Sequence, residues 1–193
     1  MGDRIERAYY LVGIPKGELL QEAARLQREV SKRHCMYDEP YPVLHLTVGT
    51  VYPDNAEQLQ QASCIIERAL RCFAPFDIHV NGSSCFSPPS KSLNLAITED
   101  STLKQLAKTV QQSLESTGIP CQDMTDWDFH ITLVSSIYAK REWSSEEFRQ
   151  VCSLMEAQSI QLTCTVRMLE LWSPTFPPLI VIDRYSLEST SHC

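Results

Sequence analysis

The sequence predicts an α+β protein of two similar halves, and two observations carry that expectation. Short runs of alternating apolar residues, the pattern of strands, are interleaved with stretches whose apolar residues recur at helical spacing. The chain also overlays on itself when residue 45 is laid on residue 130. In that overlay residues 8–15 fall on 93–100, and residues 76–80 fall on 162–166. The helical pattern Leu19, Ala23, Leu26, Val30 lies against Leu103, Leu106, Val110, Leu114, one residue out of phase, so a loop must absorb the difference. A repeat of this length is a structural unit rather than a motif. The units run from about residue 7 to 86 and from about 91 to 187, within one bilobal domain spanning 1–193.

Taken in order, residues 7–15 read as the first strand, ended by Gly13 and Pro15. Residues 17–33 form an amphipathic helix whose polar side carries Arg25, Arg28, Lys32 and Arg33, read as a solvated face, the alternative being that some of these charges help draw in phosphate. Residues 34–42, with Pro40 and Pro42, are a loop leading into the run Leu44-His45-Leu46-Thr47-Val48. Asp54 and Glu57 have the spacing of a capping box and open a helix reaching to about residue 73. Residues 76–81 alternate as a strand with His79 on the solvent side, and 82–92, with Pro88-Pro89, read as the connection between the units. The second unit repeats the order: strand 93–98, helix 101–116, the loop Gly118-Ile119-Pro120, then Trp127-Asp128-Phe129-His130-Ile131-Thr132-Leu133-Val134. Ser144 and Glu147 form a second capping box for a helix to about 156. The run 159–172 is a strand broken near Arg167-Met168; residues 175–178 turn the chain into a last strand, 179–187, and a loose tail.

Each unit carries one His-x-Thr inside an apolar strand. Side chains alternate along a strand, so His45 and Thr47 share a face, as do His130 and Thr132, while Leu44, Leu46, Val48, Phe129, Ile131 and Leu133 face a core. A single such pair carries little information. Two in equivalent places suggest one site with two halves.

Paired H-h-T-h tetrads, His45-Leu46-Thr47-Val48 and His130-Ile131-Thr132-Leu133, resemble the signature of the 2H phosphoesterase superfamily. The closing runs Met168-Leu169-Glu170-Leu171-Trp172-Ser173 and 179–187 look like those of its 2′-5′ RNA ligase-like, or cyclic phosphodiesterase, branch. The resemblance implies two pseudo-symmetric lobes, each a mostly antiparallel sheet with outer helices, around a central groove. It implies a metal-independent phosphodiesterase acting on 2′,3′-cyclic phosphates or 2′-5′ linkages, with His45 and His130 as the acid–base pair and Thr47 and Thr132 holding the phosphoryl group. Rival readings are a hydrolase of cyclic or linear oligonucleotide messengers using the same residues, and a nucleotide- or RNA-binding module without turnover.

The residue types suit that chemistry. In-line displacement at phosphorus needs a proton taken from one oxygen and given to another on the opposite side, and histidine does either near neutral pH. A threonine hydroxyl can donate to a phosphoryl oxygen as charge builds there. Tyr41 and Trp127, near the motifs, are candidate stacking surfaces for a base, the alternative for each being a core or loop-anchoring role. Asp128 shares the face of His130 and is expected to hydrogen-bond its imidazole. No zinc spacing, H-E-x-x-H, P-loop or G-x-G-x-x-G pattern occurs, so neither a metal nor another cofactor is expected.

Composition bounds the partners. The net charge of −7 and pI near 5.2 argue against duplex DNA, leaving a nucleotide or short RNA end as substrate. The charged start Met1-Gly2-Asp3-Arg4-Ile5-Glu6-Arg7 and the absence of an 18-residue apolar run point away from export and membranes, toward a cytoplasmic monomer. The eight cysteines, scattered without metal spacing, are accordingly expected to be reduced.

Overall fold

A computed structural model describes residues 8–98, 101–173 and 177–188. Its elements are β1 (Tyr9–Gly13), α1 (Gly17–His34), β2 (Leu46–Val51), α2 (Ala56–Leu70), β3 (Phe76–Phe86), β4 (Ser92–Ile97), α3 (Ser101–Glu115), β5 (His130–Ser135), α4 (Ser145–Glu156), β6 (Gln161–Val166), β7 (Met168–Trp172) and β8 (Val181–Ser186). The α+β expectation holds. The two lobes are halves of one curled eight-stranded sheet, ordered β6-β3-β4-β5-β2-β1-β7-β8, in which every pairing is antiparallel.

The halves meet at the two motif strands, β2 and β5, through the single pair Leu46–Ile131. Chain order and sheet order are interleaved: β3 of the first unit joins the half containing β4 and β5, while β7 and β8 return to β1 and β2. The overlay of residues 76–80 on 162–166 therefore misread two strands as equivalents. They are partners, with Phe76 opposite Val166 and Val80 opposite Leu162. Two strands with the same alternation and the same buried face look alike in sequence whether they are symmetry mates or neighbours.

The helices cross between halves as well. α1 packs on β5 and β6, α3 on β2, α4 on β3, and α2 on α3 and β8. Leu19, Ala23 and Leu26 of α1 and Leu103, Leu106 and Val110 of α3 are buried, as their spacing predicts. Beneath the motif strands Leu46, Val48, Ile131 and Leu133 are fully buried. Since one strand face is sealed in this core, alternation turns His45, Thr47, His130 and Thr132 to the other.

Local signals decide the helix ends. Cys35 takes the left-handed conformation (φ 52°) at the end of α1, and its N–H reaches the Ser31 carbonyl. The Ser144–Glu147 capping box forms as expected, with both reciprocal bonds. At α2 the cap is Asn55, whose side chain accepts from the Gln58 N–H, not Asp54. The supposed connection 82–92 is shorter than expected, because β3 continues to Phe86 and pairs with β4. The break at Arg167-Met168 is where β6 ends and β7 begins. Residues 175 and 176 of the expected turn, and the end of the tail, lie outside the described residues.

One cysteine expectation is overturned. Cys85 on β3 and Cys152 on α4 form a disulfide, with Cα atoms 6.1 Å apart. Cys35, Cys64, Cys121 and Cys164 are free thiols. No described helix is long and apolar enough to cross a membrane.

Candidate active site

The curled sheet encloses a cleft of about 560 Å³, lined by His45, Thr47, His130 and Thr132 together. That volume suits a small organic ligand. On either side of the Leu46–Ile131 pair, antiparallel order sets His45 with Thr132 and Thr47 with His130. The two motifs thus face the cleft as a pseudo-two-fold pair.

Matching hydrogen bonds hold the rings. His45 Nδ1 donates to the Val43 carbonyl (2.7 Å) and His130 Nδ1 to the Asp128 carbonyl (2.6 Å), each two residues back along the chain. A carbonyl only accepts, so both Nδ1 atoms carry hydrogen and Nε2 is the atom left to gain or lose a proton. Asp128 was expected to engage the imidazole through its carboxylate. The backbone makes the bond instead, and the side chain acts through its charge.

Aromatic rings wall in each histidine at equivalent strands. His45 meets Trp172 of β7 edge-on at 4.9 Å, and His130 meets Phe86 of β3 edge-on at 4.6 Å. Trp172 is fixed by its indole N–H donating to Glu170 (2.7 Å), which also accepts from Arg184 (2.8 Å). Trp127 lines the cleft and stacks near His130, with centroids 6.0 Å apart and planes 28° from parallel. Its indole N–H is buried without a partner among the described residues. Tyr41, the other stacking candidate, is not a lining residue; it packs edge-on against Tyr37 at the core margin.

The halves differ at the threonines. The Thr132 hydroxyl donates to Asn94 Oδ1 at 2.9 Å. Asn94 is fully buried, and its amide NH₂ faces the Ser84 and Ser92 carbonyls at 3.4 and 3.3 Å. Only a donor can face two carbonyls, which fixes the amide orientation and directs the Thr132 proton to Asn94. In the other half Val12 lies opposite Thr47, so the strand neighbour there offers no side-chain acceptor. Sequence reasoning missed Asn94, Phe86 and Trp172; a lone Asn on the solvent-side alternation of a buried strand was the available signal.

Burial lowers the pKa of both imidazoles below the ordinary value of 6.5. The Val43 carbonyl opposes this at His45, while the charge of His130 deepens it. At His130 both the carbonyl and the carboxylate of Asp128 work against the burial effect. Burial, with smaller contributions from Tyr138 and Tyr52, pushes Tyr10 at the cleft wall up to about 12, so it stays a neutral phenol. Among the described residues no three His, Cys, Asp or Glu side chains converge as a metal-binding group.

The model of the 2'-5' RNA ligase superfamily matches residues 15–175. Among solved structures, apo E. coli LigT superposes with a TM-score of 0.69 at 14% identity, covering 95% of this chain and 98% of LigT. TT0787 of Thermus thermophilus gives 0.67 at 19% identity (96% and 100% covered), and Kluyveromyces marxianus Usb1 gives 0.52 at 15% (92% and 98% covered). LigT has also been solved in complexes with 3'-AMP and with ATP. Among curated protein sequences none matches. With most of its length matched by the family model, and with a fold shared by LigT and TT0787, the chain belongs to the 2'-5' RNA ligase superfamily.

Proposed function

We propose that this protein is a metal-independent phosphodiesterase acting on RNA-type phosphodiesters, either 2′,3′-cyclic phosphates or 2′-5′ linkages. The observation that carries the reading is the meeting of both His-x-Thr pairs in one cleft, with each Nδ1 tied to a carbonyl and each Nε2 left to exchange a proton. The 3'-AMP and ATP complexes of LigT are consistent with a nucleotide ligand.

In hydrolysis of a 2′,3′-cyclic phosphate, water attacks phosphorus while one Nε2 takes its proton. The P–O bond opposite breaks, the second imidazolium protonates the departing ribose oxygen, and a phosphate monoester remains. His130, beside the Asp128 charge, is the better-supported proton donor; His45, more deeply desolvated and repelled by a charged His130, is the base. The Thr47 hydroxyl donates to a non-bridging oxygen. Thr132 does the same by exchanging its Asn94 bond for the phosphate. Trp127 offers its ring to the base and its unpartnered N–H to an acceptor on the substrate.

The test is turnover of a panel of 2′,3′-cyclic, 3′,5′-cyclic and 2′-5′-linked substrates by the wild type, His45→Ala and His130→Ala. Hydrolysis of an RNA-type diester that both variants lower by on the order of 10²–10⁴-fold supports the reading. Nucleotide binding with no turnover of any member would make the protein a binding module.

A further inference from the structure

We propose, building on the phosphodiesterase reading, that the cleft selects small phosphodiesters whose only negative charge lies at the reacting phosphorus, and discriminates against the same molecules bearing a further phosphate. The charges that the walls contain set this preference. Among the described lining residues there is no Lys or Arg; the ionisable groups of opposite sign are Asp126 and Asp128, alongside the two histidines. Neither carboxylate is neutralised by an ion pair among the described residues.

Several cations elsewhere are already committed. Arg25 is held by Glu22 and Glu29, Lys140 by Asp38, Arg141 by Glu147 and Arg184 by Glu170. Lys91, next in sequence to the lining residues Ser90 and Ser92, donates to the Trp143 carbonyl at 2.9 Å. The helix face carrying Arg25 and Arg28 borders a different depression with Glu18 and Glu22, lined by none of the motif residues.

Among the described lining residues the positive charge available to a ligand is therefore the imidazolium of a histidine pair in which the charge of His130 opposes that of His45. One imidazolium balances one diester anion. The remaining walls, with Trp127, Trp172, Phe86, Tyr10 and Tyr138, suit an uncharged base and ribose. A second phosphate would give up water for a site that returns no cation and presents Asp126 and Asp128. The same imbalance favours product release, because opening a cyclic diester creates a monoester of higher charge.

The experiment compares adenosine 2′,3′-cyclic phosphate with its 5′-phosphorylated counterpart, identical but for the added phosphate. The expected kcat/KM is lower for the 5′-phosphorylated compound by on the order of 10-fold or more, and Asp126→Asn should narrow that ratio several-fold. Equal or better use of the 5′-phosphorylated compound, or a ratio that Asp126→Asn leaves untouched, overturns the proposal. Should neither compound be turned over, the 2′,3′-cyclic branch of the phosphodiesterase reading falls by itself. Calorimetric binding of the same pair then decides selectivity separately: tighter binding of the 5′-hydroxyl compound upholds it, and equal binding overturns it.

Discussion

Replacing Asn94 by Asp converts a donor facing two carbonyls into an acceptor, at a position with no solvent exposure. An ionised carboxylate there would face the Ser84 and Ser92 carbonyls with no counter-charge among its hydrogen-bond partners. Protonation resolves the clash: the acid O–H replaces the amide N–H as donor, and the other oxygen still accepts from Thr132. Holding an Asp of unfolded pKa near 3.9 neutral at pH 7 costs about 4 kcal/mol. The sign follows from proton counts. The folded variant binds a proton that the unfolded chain has lost, so its stability falls as pH rises from about 4 until the raised folded pKa is passed. Relative to wild type, Asn94→Asp should therefore lose about 4 kcal/mol at pH 7, and the deficit should shrink by about 1.4 kcal/mol for each pH unit removed. Urea denaturation of both proteins at pH 5, 6 and 7 measures this. A deficit that is under about 1 kcal/mol at pH 7, or that does not change with pH, would refute the assigned orientation of Asn94 and with it the commitment of the Thr132 proton.

The threonines should separate by side chain: Thr47→Ser and Thr132→Ser should keep most activity, while either Ala variant should lose on the order of 10–10³-fold in kcat. Equal activity of Ser and Ala variants in steady-state assays would show the hydroxyl is not used. Because burial lowers both imidazoles, the kcat/KM bell should be centred below the ordinary histidine value of 6.5. Asp128→Asn removes a charge that raises His130 and should move the alkaline limb further down; a limb that stays put, or rises, contradicts His130 as the acid. The Cys85–Cys152 bond joins residues 67 apart, so Cys152→Ser should cost about 4 kcal/mol in urea denaturation under non-reducing conditions, and no measurable loss would argue that the bond is not formed.

What the sequence revealed is what short-range periodicity encodes. The alternation of Leu44 to Val48 and of Phe129 to Leu133 placed each His and Thr on the face opposite the core, and that face became the cleft. Capping was legible at Ser144 for the same reason, since both partners lie within one helical turn. Asn94, Phe86 and Trp172 were not legible, because they reach the motif side chains only through strand neighbours set by the sheet order. The pairing of β3 with β6, mistaken for a repeat, and the approach of Cys152 to Cys85 through α4 on β3 are likewise properties of topology. Tyr41 is close in sequence to the motif, but its ring seats against Tyr37 and does not line the cleft.

The most direct test of the two-histidine account is the hydrolysis rate of a 2′,3′-cyclic or 2′-5′-linked substrate, with and without EDTA, for wild type, His45→Ala and His130→Ala. The account predicts a wild-type rate unchanged by EDTA, a loss on the order of 10²–10⁴-fold in each variant, and a double variant little worse than either. A rate abolished by EDTA and restored by a divalent ion would contradict it, because the histidines would then act as metal ligands.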